Sequence, residues 1–399
     1  MMKKLMSFFI VCAVSVVLPR FVCAEGYALY GLGSDAGGRA EAVSASIDDA
    51  SAVWYNPARL PMVQKKNLVA GFDATMLDFT INSSIDKKDY TSDDTYILPN
   101  LYYAHPVSDC LTIGIGVNSP FGLGADYGKD AVFGALVVSN EIMITNIMPA
   151  AGYKLNDKLS IGAGLMMYII DGEATQYASG YDVKMKGDAN QIGGMLGLNY
   201  QIDKKQTLSL VYRSQMRFTL EGDTTIVGPG VNFKTDVKAG YLTPDAVILG
   251  YAMQVSDSLL LEADLNWRNW DDLTSTVISL KDANPLTGAT QNITERNWRN
   301  AGELVVGGQY TINDSWALDG GLMYSMTPER EVYATAEIPD TSYYLVSFAP
   351  IYTWESLKVS LPLAYLNNFK KDVNSQTAAY NGEWDLKVTH VGLNLSWMF

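Results

Sequence analysis

The chain has 399 residues, 43 of them acidic and 29 basic, and is 48% hydrophobic and 11% aromatic. Without Lys3, Lys4 and Arg20, which lie in a predicted leader, 26 basic residues remain and the net charge is near −17, which excludes nucleic acid and acidic surfaces as partners. Beyond the leader no apolar run reaches the ~18 residues of a helical span, which excludes helical crossings, whereas 24 Tyr, 8 Trp, 12 Phe and 34 Gly suit girdled strands with tight turns.

In chain order, Lys3 and Lys4 precede an apolar run from Leu5 to Leu18, and Val22-Cys23-Ala24 follows. That layout predicts a secretory signal peptide over 1–24, cleaved after Ala24. Cys12 and Cys23 leave with it, so Cys110 remains alone and is read as a small apolar filler. The next segment, 25–66, carries Gly31, Gly33, Gly37 and Gly38, then Ala/Ser-rich helical text from Arg39 to Ala52, and ends near Asn56-Pro57-Ala58, where the proline favours a turn.

From Asn67 to Phe399 the chain reads as alternating segments of about ten residues or more. Short turns at Ser108-Asp109, Asn156-Asp157, Asp203-Lys204, Ser256-Asp257, Asn313-Asp314 and Trp354-Glu355 separate every second pair. Long polar connections, Ile170 to Asp188, Asp271 to Thr294 and Thr327 to Thr341, are expected at the other rim. This asymmetry predicts an all-β fold, a transmembrane antiparallel β-barrel of about 14 strands. The last strand sets Val391, Leu393, Leu395, Trp397 and Phe399 on one face and His390, Gly392, Asn394 and Ser396 on the other. A secreted β-sandwich or β-helix would also alternate, but not with paired short and long connections.

A charge facing mid-bilayer lipid costs roughly 2–4 kcal/mol for Arg or Lys, so charged faces are expected to point inward. On that ground Glu262 and Asp264 oppose Leu261 and Leu265, and Arg213, Arg217, Arg268 and Arg299 are assigned to the lumen. They are candidates to hold an acidic head group, or else to pair with lumen carboxylates such as Glu303.

Asp48-Asp49-Ala50-Ser51-Ala52-Val53-Trp54-Tyr55-Asn56-Pro57-Ala58 resembles the signature of the FadL/TodX family of outer-membrane transporters for hydrophobic compounds. Asn118-Ser119-Pro120-Phe121-Gly122-Leu123, Tyr212-Arg213-Ser214 and Ile338-Pro339-Asp340-Thr341 are similar to further family stretches, in the family's order. The resemblance implies a monomeric fourteen-stranded barrel in a Gram-negative outer membrane, with 25–66 as a lumenal hatch and 67–399 as the barrel. It implies passive uptake of long-chain fatty acids foremost, or of aromatic hydrocarbons, with no cofactor. The ligand would meet Gly26, Tyr27 and Ala28, then leave sideways into the membrane lipid through a kinked third strand. There Gly114 and Gly116 weaken pairing, Ser119 and Pro120 end the strand next to Phe121, and Asn56, Pro57 and Ala58 pack against the kink.

Only His105 and His390 exist, in no catalytic motif and with no metal-ligand spacing, so neither enzyme nor metal centre is expected. A surface adhesin and an open diffusion porin are the alternatives; a lumenal segment argues against the porin.

Overall fold

Alternation gives each strand an apolar and a polar face, and in lipid only a closed sheet satisfies both edges of its backbone. The computed structural model describes residues 26–399, so the predicted leader, 1–24, lies outside the described residues. Fourteen crossings close an antiparallel barrel. They are β1 (Asn67–Ser83), β2 (Thr95–Pro106), β3 (Leu111–Asp126), β4 (Ser139–Lys154), β5 (Leu159–Ala178), β6 (Tyr181–Gln201) and β7 (Gln206–Arg213 with Met216–Gly228). Then follow β8 (Val231–Thr243 with Asp245–Ser256), β9 (Leu259–Asn269 with Ser275–Leu280) and β10 (Gln291–Glu295 with Ala301–Thr311). The last four are β11 (Trp316–Ser325), β12 (Tyr343–Trp354), β13 (Leu357–Ser360 with Leu363–Asn367) and β14 (Gly382–Met398). The barrel closes where β1 pairs β14 from Asn67↔Met398 to Ser83↔Gly382.

The faces follow the pleat. In β9, Leu261, Leu265 and Trp267 are exposed on the outer wall, while Glu262 and Asp264 are each 2% exposed within. All six expected short turns fall between strands. Three readings are corrected. Ile170 to Asp188 is no loop: β5 and β6 stay paired from Leu159↔Tyr200 to Ala178↔Tyr181 and turn at Ser179-Gly180, both at positive φ, as a tight hairpin requires. Arg39 to Ala52 is mostly turns, with short helices only at Ser34–Arg39, Ala52–Tyr55 and Pro57–Met62. Arg217 faces outward. The two residues that break β7, Ser214 and Gln215, shift the alternation by one, so Met216 and Phe218 turn inward and Arg217 is exposed outside, 2.9 Å from Asp272.

Candidate functional site

The segment from Gly26 to Lys66 folds inside the barrel, held by groups the wall presents. Ser44 and Ala45 donate backbone N–H groups to Asp264 (3.2 Å) and Glu262 (2.6 Å), and Ala40 donates to Ser347 Oγ (2.8 Å). Asn56 accepts the Ala58 N–H at Oδ1 (3.0 Å) and donates from Nδ2 to the Ser44 carbonyl (2.8 Å), which caps the turn into Pro57.

Asn56, Pro57 and Ala58, expected against the kink of β3, lie elsewhere. They meet three glycines on neighbouring strands: Gly152 of β4, Gly162 of β5 and Gly197 of β6. A Cβ on Gly162 would overlap the Pro57–Ala58 peptide. Val53 is the neighbour of β3 instead. A Cβ on Gly114 would stand 2.5 Å from Val53 Cγ2, and one on Gly116 would stand 2.5 Å from Tyr102. Gly114 and Gly116 therefore clear room for the helix Ala52–Tyr55. They do not weaken the ladder, since both remain paired with β2 and β4.

At the expected kink, Ser119 and Pro120 do not end the strand. They form a two-residue bulge: the register with β4 shifts between Asn118 and Phe121, then runs on to Asp126↔Ser139. On the other edge the ladder with β2 stops at Leu101↔Val117. Above that point Thr95–Asn100 pairs only with β1, leaving a seam in the wall. Its top is tied by the Asp126 N–H, which donates to Ser92 Oγ at 3.0 Å.

Residues 26–29 occupy this seam. Ala28 bridges Phe121 in antiparallel fashion, Leu29 N–H donates to the Pro120 carbonyl and Gly122 N–H to the Tyr27 carbonyl, both at 3.0 Å. Leu29 lies over Gly122, where a Cβ would come within 2.9 Å of Leu29 Cδ1. Tyr27 is wedged edge-on against Trp270 (5.0 Å between centroids) and Phe121 (6.1 Å), and its hydroxyl donates to the Leu242 carbonyl. Gly26 has φ +70°, and a side chain there would strike Trp270.

Beside these residues lies a mainly apolar cavity of about 170 Å³. Its lumen end is lined by Phe79, Leu366 and Tyr343, and its seam end by Phe121, Leu123 and the outward-facing Met143. Its floor carries Thr75 and His390. Gly26, Tyr27, Ala28, Ser119 and Phe121 line it as well, so the geometry brings these candidates together. No Lys or Arg is among its lining residues.

The arginine candidates stand apart from it. Arg213 lies 4.1 Å over the Trp54 ring and donates to the Trp54 carbonyl at 2.9 Å. Arg268 meets Glu303 at 3.0 Å. Arg299 sits in the break of β10, with its backbone N–H on the Pro328 carbonyl. Sequence reading missed Leu29, Tyr96, Asp73 and Thr75, and gave His390 no ligand role. Asp73 carried a usable signal, being an acidic residue on the lumen face of an apolar strand.

Two carboxyls outside the crossing strands are displaced. Burial, then the nearby Glu303, pushes Glu41 from its ordinary 4.5 up to about 7; Tyr55 Oη and Gly31 N–H donate to it at 3.0 and 3.1 Å. Burial likewise raises Asp340 from 3.8 to about 7, where the Thr327 hydroxyl and the Gly26 N–H donate to Oδ2. Raised values favour the protonated, packed state, so the stabilisation is complete below the ordinary pKa and is lost as pH rises through about 7. Hydrogen exchange of residues 26–66, corrected for intrinsic rates, is expected to be faster at pH 8 than at pH 6. Glu41→Gln and Asp340→Asn together should flatten that dependence; an unchanged slope would exclude these groups as its source.

A closed barrel with an apolar outer wall defines an outer-membrane β-barrel, here with a folded segment within its lumen. The chain belongs to the outer membrane protein transport protein family (OMPP1/FadL/TodX), whose model matches residues 15–399. It is 24% identical to outer membrane protein P1 of Haemophilus influenzae over 91% of this chain and 92% of that one. It is 22% identical to the long-chain fatty acid transport protein of Salmonella typhi over 94% of each. Among solved structures, a Pseudomonas aeruginosa FadL homologue superposes with a TM-score of 0.85 at 18% identity, covering 94% of this chain and 100% of that one. The toluene transporter TodX of P. putida gives 0.76 at 17%, covering 93% and 98%. The protein is thus an outer-membrane transporter of hydrophobic molecules.

Proposed function

We propose that this protein is a passive uptake channel for compact, uncharged hydrophobic molecules of single-ring size, with residues 26–66 as its hatch and the β2–β3 seam as a lateral exit. The observation that carries this is the cavity, which reaches from lumen-facing Tyr343 to outward-facing Met143 and has no cation in its lining. A dry apolar cavity of ~150 Å³ accepts one benzene ring, so 170 Å³ suits one substituted ring. A long acyl chain would have to displace Tyr27–Leu29 to fit, and its carboxylate would find Asp340 and Glu141 at the walls rather than a guanidinium.

Capture begins outside. A groove of about 650 Å³ between the extracellular loops presents Leu136, Ile293, Tyr333 and Tyr380. Transfer from water gains roughly 0.8 kcal/mol per CH₂, and the bilayer beyond the seam is as apolar as the cavity, so the route runs downhill without an energy source. The relatives named for fatty acids favour a second reading, in which the segment withdraws further and an acyl chain follows the same path.

Uptake of labelled toluene and labelled oleate by a Gram-negative host lacking its own hydrophobic channel separates the two. Toluene uptake raised several-fold with oleate unchanged is the expected result. Oleate uptake would move the assignment to fatty acids, and no uptake of either from a folded barrel would overturn the channel.

A further inference from the structure

We infer that His390 is the polar handle of the cavity, and that it selects ligands bearing one neutral O–H group, a phenol or an alcohol on a compact apolar body. The inference rests on the reading of this cavity as the ligand pocket. His390 is 4% exposed, on the lumen face of β14, and lines the cavity floor. Its Nδ1 lies 2.9 Å from Asp73 Oδ1 and 3.1 Å from Thr75 Oγ1, and Thr75 Oγ1 in turn lies 2.9 Å from the same Asp73 oxygen.

With a neutral imidazole the hydrogens have one consistent arrangement. The carboxylate only accepts, so the threonine hydroxyl and the imidazole Nδ1–H both donate to it. With the proton on Nδ1, Nε2 keeps its lone pair. Among the described residues no side chain or backbone group bonds Nε2. The ring is held besides: Tyr30 packs on it at 4.9 Å between centroids, and a Cβ on Gly31 would press within 2.9 Å of the Asp73 carboxyl. A rigid, pre-oriented acceptor in a mainly apolar cavity favours a partner that brings its own donor. The other lining groups agree. Among the described residues no cation lines the cavity, so an anionic ligand finds no counter-charge there, and a plain hydrocarbon leaves Nε2 unpaired.

The test uses the purified full-length mature protein and three probes of one shape: fluorobenzene, 4-fluorophenol and 4-fluorobenzoate, followed by ¹⁹F NMR and corrected for partition into detergent. 4-Fluorophenol is expected to bind about tenfold tighter than fluorobenzene, the worth of one good hydrogen bond, and 4-fluorobenzoate most weakly. His390→Phe, which keeps a ring but no acceptor, should erase the phenol's advantage while fluorobenzene binding holds. His390→Gln, whose amide oxygen reaches a similar point, should keep part of it. Equal binding of phenol and fluorobenzene to the wild type would overturn the handle and leave the pocket standing. Tightest binding of the benzoate would overturn it too, by showing a cationic site, and no binding of any probe would overturn handle and pocket together. The wild-type ranking needs no variant, so a His390→Phe chain that fails to fold does not shield the inference.

Discussion

A disulfide between residues 29 and 122 should stop uptake, and its reduction should restore it. In the double variant Leu29→Cys, Gly122→Cys, built on Cys110→Ser to remove the remaining thiol, the two side chains meet across the seam. A Cβ on Gly122 would lie 3.6 Å from the Leu29 γ carbon, the place a cysteine sulfur would take, so the two side chains stand in bridging range. Gly122 is not at positive φ, so cysteine fits its backbone. Oxidation would pin the segment in the position where Leu29 N–H and Gly122 N–H already tie it to β3. If a ligand leaves only when that segment steps aside, uptake falls with the fraction of chains able to open, at least about tenfold. Either single variant should be indifferent to oxidation and reduction. Full uptake by the oxidised protein would mean that the seam is not the exit, whatever else the cavity does.

The lateral exit at the third strand, with Gly114, Gly116, Ser119, Pro120 and Phe121 beside it, was implied by the family resemblance, and the sequence could not say what fills it. Alternation reads well where the charge pattern is strict, as in β9, because the lipid penalty forbids the opposite register. It fails in β7, where Ser214 and Gln215 interrupt the pleat and every later residue changes face. Arg217 lies beyond that break and near the extracellular rim, where a charge facing outward costs little. The polar stretch Ile170 to Asp188 misleads for the same reason: above the lipid, a paired hairpin is polar on both faces and reads as loop.

The lumenal segment was legible as a unit but not in its shape. Ala/Ser-rich text from Arg39 to Ala52 has helix propensity, yet Asp264 and Glu262 on the wall take the N–H groups of Ser44 and Ala45, and the chain follows those anchors instead. Ala40 and Glu41 adopt positive φ there, a conformation that costs roughly 1 kcal/mol or more each for non-glycine residues and that tertiary contacts sustain. The handle at His390 was hidden for another reason. Its partners, Asp73 and Thr75, lie more than 300 positions away, and only closure of β1 on β14 brings them together.

Gly162→Val should open the lumen without unfolding the barrel. Gly162 pairs with Gly152 and lies beside Gly197, so three adjacent strands present bare backbone to the Pro57–Ala58 peptide. That peptide cannot drift, because Ser160 Oγ donates to the Ala58 carbonyl at 2.7 Å and Asn56 holds the preceding turn. A valine therefore overlaps backbone rather than a flexible side chain. Overpacking of this kind costs about 1–3 kcal/mol, and the strain falls on the segment, since a strand bonded on both edges yields less readily than a turn. The wild type should show small, intermittent conductance in planar bilayers and Gly162→Val a large steady one, with both chains keeping heat-modifiable migration. Gly320→Val serves as the control, because a Cβ there meets nothing within 4 Å. A large steady conductance of the wild type would make the protein an open porin. An unchanged conductance of the folded Gly162→Val barrel would mean that residues 26–66 fill the lumen without closing it, and the extracellular loops would then have to form the seal.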